Sequence, residues 1–136
     1  MKENKDIMNE KIEKIGITAI ECLNGREFSK IILGLIIKET EESMIENMEL
    51  FYENVDHKIC YVNELIFNDE MNDTIEEQKY LQLQNLLFDL YHYCSECGDE
   101  WKYMTLLIYA DGRFHIDFNY EPIEIIAWRK KSGIIL

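Results

Sequence analysis

Three groups of side chains in this 136-residue sequence have types and spacings that could do chemistry. In YADGRFHIDFNYE, residues 109–121, His115 and Asp117 stand two residues apart. On a strand they share a face with Cα atoms about 7 Å apart, near enough to grip a metal ion or pass a proton. Two ligands do not make a metal centre. Three or four are needed, and no HExxH helix, HxH with a distant acid, or calcium-binding loop supplies the others. The plainer reading of the pair is the solvated side of a strand.

A second group is Tyr91-His92-Tyr93-Cys94-Ser95-Glu96-Cys97-Gly98, where His92, Cys94 and Cys97, with Cys60 or Cys22 as a fourth ligand, have the chemistry of a zinc site. Against this, structural zinc usually shows two such cysteine pairs. Cys94 also continues the apolar stripe Leu83, Leu87, Leu90, and a redox CxxC opens a helix after a strand instead of ending one. No GxSxG elbow or phosphate-binding loop is present, the six glycines are isolated, and nothing singles out a catalytic carboxylate pair.

The third group is acidic. Asp and Glu number 27 against 14 Lys and Arg, a net charge of -13. Such a charge repels phosphate backbones and anionic membranes and attracts basic partners. The acids are concentrated in two blocks, Glu39–Glu53 and Glu64–Glu77, which contain no Arg and no Lys. Their bland reading is a pair of solvated faces that keep the chain soluble. Their functional reading is a patch that meets a basic protein, since complementary charge speeds association and selects the partner.

The composition, 47% hydrophobic and 30% charged, is that of an ordinary globular chain long enough for about one domain, taken as residues 1–136. No apolar run reaches membrane-spanning length and the N-terminus lacks a signal-peptide core, so the expected location is the cytoplasm, with the four cysteines reduced.

These groups must be positioned by a small set of elements. Apolar residues at Met8, Ile12, Ile15, Ala19 and Leu23 predict a helix from Lys5 to Leu23, stopped by Asn24-Gly25. FSKIILGLIIK, residues 28–38, reads as a strand buried on both faces. Ser43–Glu53 and Lys58–Phe67 read as two more strands around a polar turn. Asp73 or Thr74 can cap a helix striped by Ile75, Leu83, Leu86, Leu87, Leu90 and Cys94 and ending at Gly98. Asp111-Gly112 predicts a hairpin between 101–110 and 113–120, and Pro122 starts a short final helix or turn holding Ile125, Ile126 and Trp128.

The sum is an α+β domain: one mainly antiparallel sheet of about five strands, made of a three-strand meander plus the Asp-Gly hairpin, with two main helices. A two-residue hairpin loop would set Tyr109, Leu107, Thr105 and Tyr103 opposite Phe114, Ile116, Phe118 and Tyr120 on a core face. Ile108, Leu106 and Met104 would then oppose His115, Asp117 and Asn119 on the reverse.

Trp101–Glu121, WKYMTLLIYADGRFHIDFNYE, resembles the signature of the YezG-like immunity and antitoxin family: Trp101, Thr105, the apolar strand Leu106–Tyr109, Asp111-Gly112, Phe114, Asp117 and Tyr120-Glu121. The order of elements before it is similar. Cys94, Cys97 and the tail EIIAWRKKSGIIL depart from the pattern, the tail matching only at Trp128.

The resemblance implies a protein that is not an enzyme and that neutralises, by stoichiometric binding, the C-terminal toxin domain, often a nuclease, of an LXG-type or other polymorphic bacterial toxin. It carries no binding residue. From charge, the expected partner is a basic toxin domain, with no nucleic acid, membrane, metal or cofactor. The expected contacts are Glu39, Glu41, Glu42, Glu46, Asp69, Glu70 and Asp73, joined by His115 and Asp117. The alternative is a small metal-binding or hydrolytic domain built on the Cys/His cluster. Elemental analysis of the purified protein separates the two: the immunity reading expects less than about 0.1 equivalent of zinc or iron, and a stoichiometric metal would reverse it.

Overall fold

The computed structural model describes residues 4–63 and 75–134. Among the described residues are three helices, α1 (Lys5–Glu21), α2 (Ile75–Glu96) and α3 (Ile125–Lys131), and five strands, β1 (Lys30–Glu39), β2 (Met44–Glu53), β3 (Ile59–Tyr61), β4 (Tyr103–Tyr109) and β5 (Phe114–Asn119). The strands form one open antiparallel sheet in the order β3-β2-β1-β4-β5. This is the expected α+β class. The chain divides into two compact units, Met1–Arg26 with Glu64–Trp101, and Glu27–Asn63 with Lys102–Leu136.

The first unit is helical. Asn4 caps α1, its Oδ1 accepting from the backbone N–H of Asp6 and Ile7, and its own N–H donates to the Tyr93 hydroxyl at 2.8 Å. Lys11 pairs with Asp89, and Lys79 with Glu21 at 2.8 Å. Positions rising along α1 therefore meet positions falling along α2, and the helices are antiparallel. Each contributes an apolar stripe: Ile12, Ile15 and Ala19 from the first, continued by Leu23 in the turn that follows, and Leu83, Leu87, Leu90 and Cys94 from the second, all buried.

The second unit is the sheet with α3. β1 is its central strand, and every residue from Ile31 to Ile37 is buried, as the unbroken apolar run requires. One face carries Ile32, Gly34 and Ile36 of β1, Phe51 and Glu49 of β2, Tyr61 of β3, and Tyr103, Thr105 and Leu107 of β4. On this face lies α3. Trp128, Ile134, Ile32, Ile36, Phe51 and Tyr103 form one buried cluster.

Gly34 makes room for it. A Cβ at residue 34 would overlap Trp128 Cζ2 and stand 2.6 Å from Cε2, so the indole rests on bare backbone. Its Nε1 donates to Thr105 Oγ1 at 2.9 Å. Next along the helix, Arg129 donates from Nε to Glu49 Oε1 at 2.9 Å and brings Nη2 to the same oxygen at 2.6 Å. Tyr61 donates its hydroxyl to Glu49 Oε2 at 2.7 Å, so a carboxylate only 5% exposed has both oxygens engaged.

Two expectations are corrected. The strand expected over 58–67 is β3, Ile59–Tyr61 only; Val62 and Asn63 are helical and residues 64–67 lie outside the described residues. Val62 is buried in that turn, an apolar position that periodicity cannot tell from a strand residue.

The hairpin register is also different. Tyr109 N–H donates to Arg113 O and Gly112 N–H to Tyr109 O, which makes Ala110-Asp111-Gly112 a three-residue loop. Only Gly112 adopts positive φ there, +92°, the left-handed residue that ends such a turn with a bulge. Ile108 thus faces Phe114, Leu107 faces His115 and Thr105 faces Asp117. This shift of one residue exchanges the faces. His115 and Asp117 lie on the α3 side of the sheet, and Phe114 and Tyr120, expected in the core, are 59% and 58% exposed.

Adding the single methyl of Gly34→Ala should overpack the Trp128 contact and cost about 1–3 kcal/mol. Trp128→Ala should cost about 3–5 kcal/mol. In urea unfolding the double variant should lose less than the sum of the two, because the new Cβ meets no ring. Additive losses would show that the indole is not what excludes a side chain at residue 34.

Candidate functional site

The β1–β2 turn gathers part of the first acidic block. Glu39 pairs with Met44 at the end of the ladder, and the loop is closed by Thr40 and Ser43: Thr40 N–H donates to Ser43 O at 2.8 Å and Ser43 N–H donates to Thr40 Oγ1 at 3.0 Å. That closure leaves Glu41 and Glu42 at the tip, both exposed. Glu46 follows on β2 opposite Ile37 and is half-buried. On the flanks, Lys102 Nζ meets Glu39 Oε1 at 2.8 Å and Lys38 Nζ stands 3.9 Å from Glu124 Oε2.

Carboxylates outnumber the two lysines at this end, and no contact on the flanks reaches the tip. Met44, 42% exposed, lies opposite Glu39 on the face that also carries Glu46, and Ile45, 45% exposed, lies opposite Lys38 on the other face. An exposed apolar side chain beside charged ones, as Met44 is, has the anatomy of a protein-binding patch, where the anchor loses water and the charges select the partner. Reading the acids alone misses Met44 and Ile45. The available signal was an apolar pair directly following Glu41-Glu42-Ser43, with no way to know that it faces solvent.

His115 and Asp117 are well formed as a pair: Nε2 and Oδ2 are 2.9 Å apart and both side chains are largely exposed. They stand on β5, one of the two outer strands. His115 opposes Leu107, which opposes Ile32, two strands across from β1 and seven residues along it from Glu39. The separation is roughly 10 Å across and roughly 23 Å along the sheet. The histidine pair and the acidic turn therefore stand well apart on the sheet. Asp117 borders an open groove of about 430 Å³ with Lys30, Tyr103, Asn119 and Lys131. Asp69, Glu70 and Asp73 lie outside the described residues.

The cysteine cluster disperses. Cys94 is buried on the α2 stripe, its thiol 3.7 Å from Met8 Sδ, while His92 is exposed with its ring edge-on to Tyr91. Burial pushes the Cys22 thiol up to about 12, which holds it protonated and unreactive. Among the described residues no three His, Cys, Asp or Glu side chains are grouped to hold a metal ion, and no helix is long and apolar enough to cross a membrane.

A family model described as immunity protein YezG-like matches residues 17–131. No curated protein matches the chain.

Where β2 ends, Glu53 accepts from the Ser29 hydroxyl at 2.7 Å and lies 3.3 Å from His57 Nδ1. The serine bond, then the histidine, hold its carboxyl below the ordinary 4.5. A lowered folded-state value contributes stability that is present above the unfolded value and is lost as pH falls through the folded one. Ser29→Ala should therefore destabilise by less than about 1 kcal/mol at neutral pH. That deficit should shrink below pH 4.5, followed by thermal melts across the acid range; a deficit that does not change with pH would remove the carboxylate from the account.

Proposed function

The chain belongs to the YezG-like immunity protein family, and on that premise we propose that it neutralises the C-terminal domain of a polymorphic bacterial toxin by occupying a basic surface with its β1–β2 turn. Membership in an immunity family implies binding to a cognate toxin and points to a role without catalysis of its own. The step from family to surface rests on one observation: Glu39, Glu41, Glu42 and Glu46 gather at one end of the sheet, with exposed Met44 opposite Glu39.

In that arrangement the acids draw in a positively charged domain and set its orientation, and Met44 supplies a desolvated anchor that slows its departure. A nuclease of the LXG type is the toxin class that fits best, because its substrate-binding cleft must be basic to hold a phosphate backbone. Covering that cleft with carboxylates displaces the substrate with no chemistry on either side. The complex belongs in the cytoplasm of the producing cell, with Asp69, Glu70 and Asp73 as further candidate contacts.

Changing Glu41, Glu42 and Glu46 together to Lys should weaken binding to the cognate toxin domain by about tenfold or more, mainly through slower association. Glu41→Lys with Glu42→Lys should do so without moving the thermal midpoint, since both side chains are solvated. Met44→Ala should act on the dissociation rate instead. Surface plasmon resonance with toxin encoded in the adjacent reading frame reads both rates. Unchanged kinetics in all three variants would remove the turn as the binding surface.

A further inference from the structure

Along β5 the order Phe114, His115, Ile116, Asp117, Phe118 is its own complement when reversed. Two copies laid antiparallel about Ile116 set Phe114 against the partner's Phe118, His115 against the partner's Asp117 and Ile116 against the partner's Ile116. A closed twofold makes the first two of these contacts twice.

The backbone has the matching parity. Ile37 N–H donates to Lys102 O at 2.9 Å across β1 and β4, and Tyr109 N–H donates to Arg113 O at 2.8 Å across β4 and β5. With antiparallel alternation, His115, Asp117 and Asn119 aim their backbone groups at β4, while Phe114, Ile116 and Phe118 aim theirs away from the sheet. Ile116 is then a position at which an added antiparallel strand exchanges two hydrogen bonds with its opposite residue. A twofold centred there is a hydrogen-bonded register; one centred on His115 or Asp117 would present no backbone groups at its axis.

The side chains agree with the backbone. His115 and Asp117 are exposed on one face of the strand, and on the other Phe114 is exposed and Ile116 half-buried. β5 contains neither Lys nor Pro, the residues that most often protect an outer strand from pairing. Repulsion between two chains of net charge -13 opposes association, but a Debye length of about 8 Å at physiological salt screens it beyond the contact itself. At the contact, histidine meets carboxylate.

We infer that the chain forms a twofold dimer by pairing β5 with β5 of a second copy, so that one antiparallel sheet runs through both. The twofold reverses strand direction, which sends the two β1–β2 turns toward opposite ends of the joined sheet and leaves Glu41 and Glu42 open in each copy.

Sedimentation of the full chain across a concentration series at physiological salt should show a species of twice the 16.3 kDa protomer. Ile116→Pro removes an N–H that the β4 ladder does not use, so it should leave a folded protein and yield a monomer. His115→Asp places carboxylate against carboxylate and should weaken the dimer at least tenfold, while the exchange variant His115→Asp with Asp117→His restores the pairing and should recover it. A monomer at every concentration, or an exchange variant no better than the single one, would overturn the inference. So would a wild-type monomer whose binding to the toxin domain is lost with Ile116→Pro, since that outcome gives the strand edge to the toxin. None of these readings depends on whether the β1–β2 turn binds toxin.

Discussion

The contact between the Trp128 indole and the bare backbone of Gly34 sets the geometry of the sheet unit. α3 has seven residues, too few to hold its own shape in water, so tertiary contacts must hold it. Its large apolar side chain needs a depression, and a strand offers one only where a residue lacks Cβ. Its indole N–H, once buried, needs an acceptor, and Thr105 provides it from the neighbouring strand. Glu49 and Thr105 are the register partners of Gly34 on its two sides. A single row across β2, β1 and β4 therefore meets Arg129, the ring of Trp128 and its N–H together. Shifting either strand pair by one residue would turn one of these groups to the other face.

The same row explains why a buried carboxylate is tolerated. Glu49 takes two contacts from Arg129 and one from Tyr61, and Arg129 lies 5.4 Å from the Phe51 ring centre and 5.2 Å from that of Tyr61. Those rings stack at 4.5 Å. Burying the pair gives little net stability, yet losing one partner would strand a charge, so the network acts on specificity of position more than on depth of the energy well. It ties the short β3 and the C-terminal helix to one carboxylate. With the middle of this face covered by α3, the β1–β2 turn and the outer edge of β5 lie beyond the helix.

Much of this was legible in the sequence, and the gaps have physical causes. Helical periods identified α1 and α2, the Ile31–Ile37 run identified the central strand, and the stripe through Leu83, Leu87 and Leu90 placed Cys94 among the buried residues. Asp111-Gly112 identified the hairpin but not its loop, because a Gly at positive φ serves a two-residue and a three-residue turn alike. One residue of loop length then decided which face carries His115 and Asp117. Gly34 looked like one more isolated glycine. Its meaning depends on Trp128, far away in sequence, and no local pattern joins them. The acidic residues were read by density along the chain, whereas the sheet sorts them by register: Glu49 into the core, Glu53 onto Ser29, and Glu41 with Glu42 into solvent.

That sorting bears on how the turn can serve as a binding surface without harming the fold. Two carboxylates at neighbouring positions in water repel each other by only about 1 kcal/mol, since bulk solvent screens them. The nearest acids on the flanks are offset by Lys102 and Lys38. The turn backbone is closed by Thr40 and Ser43, whose bonds do not involve the carboxylates. Solvation thus makes the charge cheap in the free protein. When a basic surface excludes that water, the effective dielectric falls and each acid–base contact strengthens, so the gain appears only on binding. Charges buried inside the fold could not behave this way, because their energy is already committed to the partners that Glu49 holds.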